Sequence, residues 1–224
     1  MKFEEYYEKE GYLDEERGCI IENICIGTIQ LATGRLIVCD PLAPYDRIEL
    51  KCGLKPGKYG VFLIISKDLQ NKEEIIEAAY VKDNNSNFSV TWNRAPSIPY
   101  GLNEKLKPSE DAGYGVDTGI GCFMDASVAD KHFEMLDHPN YLDDTMKFFY
   151  ERKRPRWLEL CTEPSGNIFL FESGLGDGVY ITWIAHSFQC DSPYALLTDF
   201  SHTGIKHKTK LKKPRKSCWK IWRF

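Results

Sequence analysis

The chain has no run of about 20 apolar residues, the length a membrane helix needs, and its first sixteen residues, MKFEEYYEKEGYLDEE, are acidic and contain no apolar leader segment. These absences predict a protein that is neither secreted nor membrane-spanning, with a cytoplasmic location. Recognisable catalytic spacing is missing too. There is no HExxH, no GxSxG elbow to present a nucleophile and no CxxC pair. The five histidines (His132, His138, His186, His202, His207) stand at no zinc-finger spacing, and the sequence predicts no cofactor. Acidic residues are absent from 206–224, where nine of the 29 Lys and Arg residues collect, interleaved with Trp219, Trp222 and Phe224. The remaining body carries 20 basic and 33 acidic side chains, a net of −13. Such a body repels phosphate backbones, which disfavours nucleic acid as a partner except through the tail; otherwise the tail is a solvated end that balances the acidic body.

What is present suits one packed core. Of 224 residues, 42% are apolar and 13% aromatic, enough buried surface to offset the entropy of ordering one domain, set here at 1–205 with the basic tail at 206–224. The eight cysteines (Cys19, Cys25, Cys39, Cys52, Cys122, Cys161, Cys190, Cys218) mostly lie in apolar runs such as LIVCD and GCFMD, which predicts buried, reduced thiols.

Strand signals dominate. Residues 19–38 are rich in Ile, Val and Thr around an Ala-Thr-Gly at 32–34, read as a hairpin whose second strand ends at Asp40-Pro41. KYGVFLIIS and FSVTWN read as strands. IIEAAYV fits strand or helix, and the proline-rich stretch 94–113 reads as a long loop. Residues 2–10 suit a short amphipathic helix. The middle predicts two helices, near 128–136 and 141–153, with Ser127 and Asn140 as N-caps followed three residues later by Asp130 and Asp143. WLELCTE and NIFLFES then form a hairpin, followed by strands GVYITWIAHS and YALLTDFS. The expected fold is mainly β, α+β at the margin: two β-rich halves packed as a sandwich, with the helices inserted near 127–153.

One internal echo organises the chain. Thr33-Gly34, five small or apolar residues, then Asp40 reappears as Thr118-Gly119, five such residues, then Asp125. Downstream, Gly57-Lys58-Tyr59 and Gly178-Val179-Tyr180 each open a β run. A duplicated unit accounts for this simply, with a glycine-bearing turn starting a buried strand and Asp closing it. Related halves would place Asp40 and Asp125 in equivalent positions, joined by Asp117, Asp177 or Asp199. Clustered carboxylates can bind a divalent cation or raise one member's pKa for acid chemistry; alternatively each Asp closes its strand by accepting backbone amides. Gly174-Leu175-Gly176-Asp177-Gly178 invites comparison with phosphate-binding loops, but a strand follows it and Asp177 would repel an anion, so it reads as a hairpin or bulge turn.

The passages TGRLIVCDPL, PGKYGV, GYGVDTGIGCFMDA, SGLGDGVYITW and LLTDF, in this order, resemble domain-of-unknown-function family 4241, found mainly in bacteria, over roughly residues 28–202. Gly60 and Ile181 stand where that family favours proline after Tyr59 and Tyr180. The resemblance implies a β-rich architecture and brings no catalytic residues. Two function classes follow: a non-catalytic protein that binds a protein or small ligand, of which a bacterial toxin-immunity or accessory protein is one instance, or a metal-dependent hydrolase built on the duplicated aspartates.

Overall fold

A computed structural model describes residues 11–43, 47–50, 53–83, 90–99, 113–138, 140–162, 166–187 and 193–201. The helix expected at 2–10, much of the loop 94–113 and the basic tail lie outside these residues. Among the described residues, fourteen strands build two sheets. The larger uses β1 (Gly11–Asp14), β2 (Cys19–Leu31), β5 (Gly57–Asp68), β6 (Glu74–Lys82), β14 (Pro193–Asp199), β13 (Gly178–Ser187) and β7 (Val90–Arg94) in that order, with β9 (Gly113–Val116) also paired to β13. The smaller is ordered β11 (Trp157–Thr162), β12 (Gly166–Glu172), β10 (Ile120–Asp125), β3 (Leu36–Cys39), β4 (Ile48–Leu50) and β8 (Ser97–Pro99). The architecture is therefore mainly β, two sheets packed face to face. Between them lie Ile29, Leu31, Val38, Val61, Leu63, Phe123, Phe169, Phe171 and Leu196, all fully buried.

Two helices, α1 (Ala126–Met135) and α2 (Tyr141–Tyr150), follow β10 directly. Ala126, Val128, Ala129 and Phe133 of α1, with Phe149 of α2, cover the outer face of the smaller sheet at Ile37, Cys39, Cys122, Met124 and Leu170. The cap of α1 is Asp125, whose carboxylate accepts the Ser127 amide at 2.9 Å, so the helix starts ahead of the expected Ser127. Asn140 does occupy the N-cap of α2, but in a left-handed conformation with no side-chain cap bond. IIEAAYV is a strand: its consecutive Ala78, Ala79, Tyr80 and Val81 are all buried, so both faces of the sheet are covered there.

The expected hairpin over 19–38 does not form. Its two strands belong to different sheets, β2 pairing with β5 and β3 with β10 and β4, because the turn at Thr33-Gly34 carries the chain from one sheet to the other. Gly174–Gly178 is likewise a crossover, from β12 in the smaller sheet to β13 in the larger, rather than a hairpin turn. Gly34 and Gly119 both adopt φ of 71°, and a Cβ at Gly34 would lie 2.3 Å from the Leu54 carbonyl oxygen, so only glycine fits that turn.

Strand registers repeat across the molecule. Leu31 and Val116, each two residues before a Thr-Gly, face Gly57 and Gly178; Ile29 and Tyr114 face Tyr59 and Tyr180. Leu36 and Gly121, each three residues after the Thr, face Leu50 and Phe171. The two sets meet in antiparallel pairs that read the same in either direction. In the smaller sheet β3 and β10 pair around Val38 and Phe123, and in the larger β6 and β14 pair around Tyr80 and Leu197.

Candidate functional site

The five aspartates do different things. Asp40, 1% exposed, follows β3, and its Oδ1 accepts the amides of Leu42 and Ala43 at 2.9 and 3.2 Å. Its Oδ2 accepts the amides of Asp117 and Thr118 at 2.9 and 2.7 Å, and the Thr118 hydroxyl lies 2.8 Å away. Asp125, fully buried, takes the Thr33 amide and hydroxyl at 3.1 and 2.8 Å on the oxygen that does not cap α1. Each strand-closing Asp thus holds the Thr-Gly turn of the opposite segment. The two carboxylates stand at opposite ends of the β3–β10 pair. Asp125 faces Leu36, and Asp40 lies four residues further on, about 13 Å at about 3.3 Å per residue.

Asp117 is exposed and gives Asp40 its backbone amide, and Asp177 is exposed on the turn before β13. Asp199, half-buried at the end of β14, accepts the Ser201 amide and hydroxyl at 3.0 and 2.7 Å, and burial raises its pKa. Among the described residues no group of three or more His, Cys, Asp or Glu side chains is placed to hold a metal ion. His132 is buried between Pro41 O, 2.9 Å from Nε2, and the Tyr141 hydroxyl, 3.0 Å from Nδ1; burial lowers its pKa. It ties α1 and α2 to the end of β3. Among the described cysteines, Cys19, Cys39 and Cys122 are buried, whereas Cys25 and Cys161 are exposed against expectation, on outward positions of β2 and β11. All five are free, the sulfurs of Cys39 and Cys122 standing 3.5 Å apart. Trp92 lies half-buried on the outer face of the larger sheet beside Trp183 and Tyr80.

A concave feature lies apart from these aspartates. A cavity of about 250 Å³ opens beside the Thr118-Gly119 turn and the Gly174–Gly176 segment. One wall is the start of β6, with Glu73, Glu74 and Ile75; the other is the end of α2 and the chain leading into β11, with Tyr150, Arg154 and Arg156. Glu172 on β12 receives the Arg156 amide at 2.9 Å and the Arg156 guanidinium at 2.7 Å, and lies 3.5 Å from Arg154 Nε. The Arg156 guanidinium also rests on the Tyr150 ring, 5.1 Å from its centre. Leu175 and Tyr150, at 66% and 51% exposure, stand at its edge.

None of these lining residues was singled out as a site from sequence; Leu175 read as part of a turn. The sequence marks the position of Leu175 but not its exposure. Counted back from Gly57 and Gly178, Leu175 matches Leu54 and Gly174 matches Gly53, both glycines having positive φ, 57° and 67°. Leu54 is 6% exposed and belongs to the inter-sheet core; Leu175 points to solvent.

No curated protein and no solved structure matches the chain. A family model described as "Protein of unknown function (DUF4241)" matches residues 29–196, three quarters of the sequence and every strand from the last three residues of β2 into β14, and the chain belongs to that family.

Proposed function

We propose that this protein is a non-catalytic binding protein, cytoplasmic and of bacterial type, that seats a protein segment or small ligand in the cavity beside Leu175. The carrying observation is a leucine 66% exposed at the rim of a cavity whose other wall presents two arginines. Exposed apolar side chains beside a concave, partly charged surface are what recognition sites are made of. The aspartates support the same reading from the other side. Asp40 spends both oxygens on four backbone amides and a hydroxyl, and Asp125 on two amides and a hydroxyl, so their lone pairs are committed to the fold. The repeated registers support an internal duplication in which one copy keeps its glycine turn closed and the other leaves it open. A toxin-immunity or accessory role is one form this binding would take.

The test is a ligand screen by saturation-transfer NMR with small molecules and short peptides, run on wild type and Leu175→Asp, beside thermal melts with Mg²⁺, Mn²⁺ or Ca²⁺. Ligands lost in Leu175→Asp, with the melting midpoint indifferent to the cations, are the expected result. A cation at a hundredfold excess over its Kd would stabilise a metal site by about 2.7 kcal/mol. A cation-induced shift abolished in an Asp40→Asn, Asp125→Asn double variant would replace the binding reading with the metal-dependent hydrolase.

A further inference from the structure

The cavity's walls restrict what can sit in it. Arg154 and Arg156 share one carboxylate, Glu172, and they share it unequally. Arg156 makes two close hydrogen bonds to it, through its amide and its guanidinium. Arg154 approaches only through Nε at 3.5 Å, beyond normal hydrogen-bond length, and its guanidinium has no other partner among the described residues. Its side chain is 68% exposed and lines the cavity. One guanidinium is therefore turned to the cavity with most of its donors unused, and guanidinium geometry matches a carboxylate's two oxygens. Of the carboxylates on the facing wall, Glu74 is held by Lys67 at 2.5 Å.

Glu73, the other carboxylate of that wall, is exposed, and Thr118 with three glycines adds polar lining; the apolar part is made by Ile75, Phe149, Tyr150 and Leu175. The equivalent leucine in the first repeat, Leu54, is buried in the core. The second repeat holds its leucine outside and keeps open space next to it. A leucine side chain exposed in this way leaves apolar surface in water, part of which an apolar group arriving in the cavity covers.

We propose that the cavity takes a carboxylate carried on a branched apolar or aromatic group, with the carboxylate on Arg154 and the apolar body against Leu175, Ile75 and Tyr150. This rests on the binding reading above and narrows it to one ligand chemistry. That chemistry has two sources, a free apolar carboxylic acid or the C-terminal residue of a peptide. A volume of about 250 Å³ suits one such residue and excludes a folded domain.

The experiment titrates the full chain with 4-methylpentanoate, 4-methylpentanamide, 3-methylbutylamine, and acetyl-Ala-Ala-Leu as free acid and as amide, following amide shifts by NMR. Concentrations run to about 10 mM, where a millimolar ligand is already saturating. The acids are expected to bind at least about tenfold more tightly than their amides, and Arg154→Gln to remove that preference while leaving the weak binding of the amides. Leu175→Ser weakens acid and amide alike. If the peptide acid binds and 4-methylpentanoate does not, the source is a chain terminus; the reverse result assigns a free acid. Amides binding as well as acids, the amine binding best, an unchanged preference in Arg154→Gln, or no binding by any acid would each overturn the proposal. Should Arg154→Gln not fold, contacts between ligand and Leu175 methyl protons in the wild type decide it. If no carboxylate binds but the broader screen still yields ligands sensitive to Leu175→Asp, this inference falls and the binding reading stands; if neither yields a ligand, both fall.

Discussion

Asp125 holds Thr33 by two hydrogen bonds, to its amide at 3.1 Å and its hydroxyl at 2.8 Å, across ninety-two residues of chain. The same carboxylate caps α1 through Ser127, so one buried side chain fastens a turn, ends a strand and starts a helix. Replacing Asp125 by Ala removes the acceptor of the Thr33 and Ser127 amides and of the Thr33 hydroxyl, in residues that are themselves exposed. Loss of a helix cap costs about 1 kcal/mol and each of the two hydrogen bonds to Thr33 about 0.5–1.5 kcal/mol, so a total of about 2–4 kcal/mol is expected. Urea unfolding measures it. A double-mutant cycle with Asp125→Ala and Thr33→Val should show coupling above about 0.5 kcal/mol, and additive losses would mean that the contact contributes nothing of its own.

The two equivalent leucines should respond oppositely to truncation. Leu54→Ala removes a buried core side chain and should cost about 2–5 kcal/mol; Leu175→Ala removes an exposed one and should stay within about 0.5 kcal/mol. The same denaturation experiment reads both. A large loss at Leu175 would show that its exposure is not the state the protein occupies in solution.

Asp199 gives the pH dependence a sign. Burial raises its folded pKa above the ordinary 3.8, so the folded state binds this proton more tightly than the unfolded chain does. Its contribution to stability is greatest below pH 3.8 and declines as pH rises through the folded value. Asp199→Asn, which keeps an acceptor for Ser201, should flatten that part of the profile and raise the melting temperature at neutral pH relative to wild type. Melts across pH 4 to 8 give the comparison, and parallel profiles would refute it.

The cysteines divide by reactivity. Cys25 and Cys161 are exposed and should react with a thiol reagent in the native protein, while Cys39 and Cys122, fully buried with burial raising the Cys122 pKa, should react only on unfolding. Mass spectrometry after timed alkylation locates each label. Labelling of Cys39 at the rate of Cys25 would contradict the packing of the smaller sheet.

How much of this was readable beforehand depends on the range of each interaction. β5, β13 and β14 announce themselves through local Val, Ile, Tyr and Thr content, and both helices through their flanking residues, because those signals lie within the segment. The Thr-Gly echo drew attention to Asp40 and Asp125. It could not show that each one holds the Thr-Gly turn of the other segment, since pairing of β3 with β10 is decided by packing. For the same reason 19–38 reads as a hairpin: two adjacent apolar runs around a glycine look alike whether the chain folds back or crosses to another sheet. The cavity was invisible because its charged residues, Arg154 and Glu172, meet only after β11 and β12 pair, and because nothing in the sequence distinguishes a buried Leu54 from an exposed Leu175.

The reciprocal attachment of Asp40 to Thr118 and of Asp125 to Thr33 also bears on synthesis. Bonds spanning seventy-eight and ninety-two residues cannot form until the second segment has left the ribosome, several seconds after the first at about 5–20 residues per second. During that interval β3 lacks its β10 neighbour, and its apolar Leu36–Cys39 run offers an unpaired edge to other chains. Assembly is then governed by long-range closure, which makes folding slow and cooperative, and neither half is expected to persist alone.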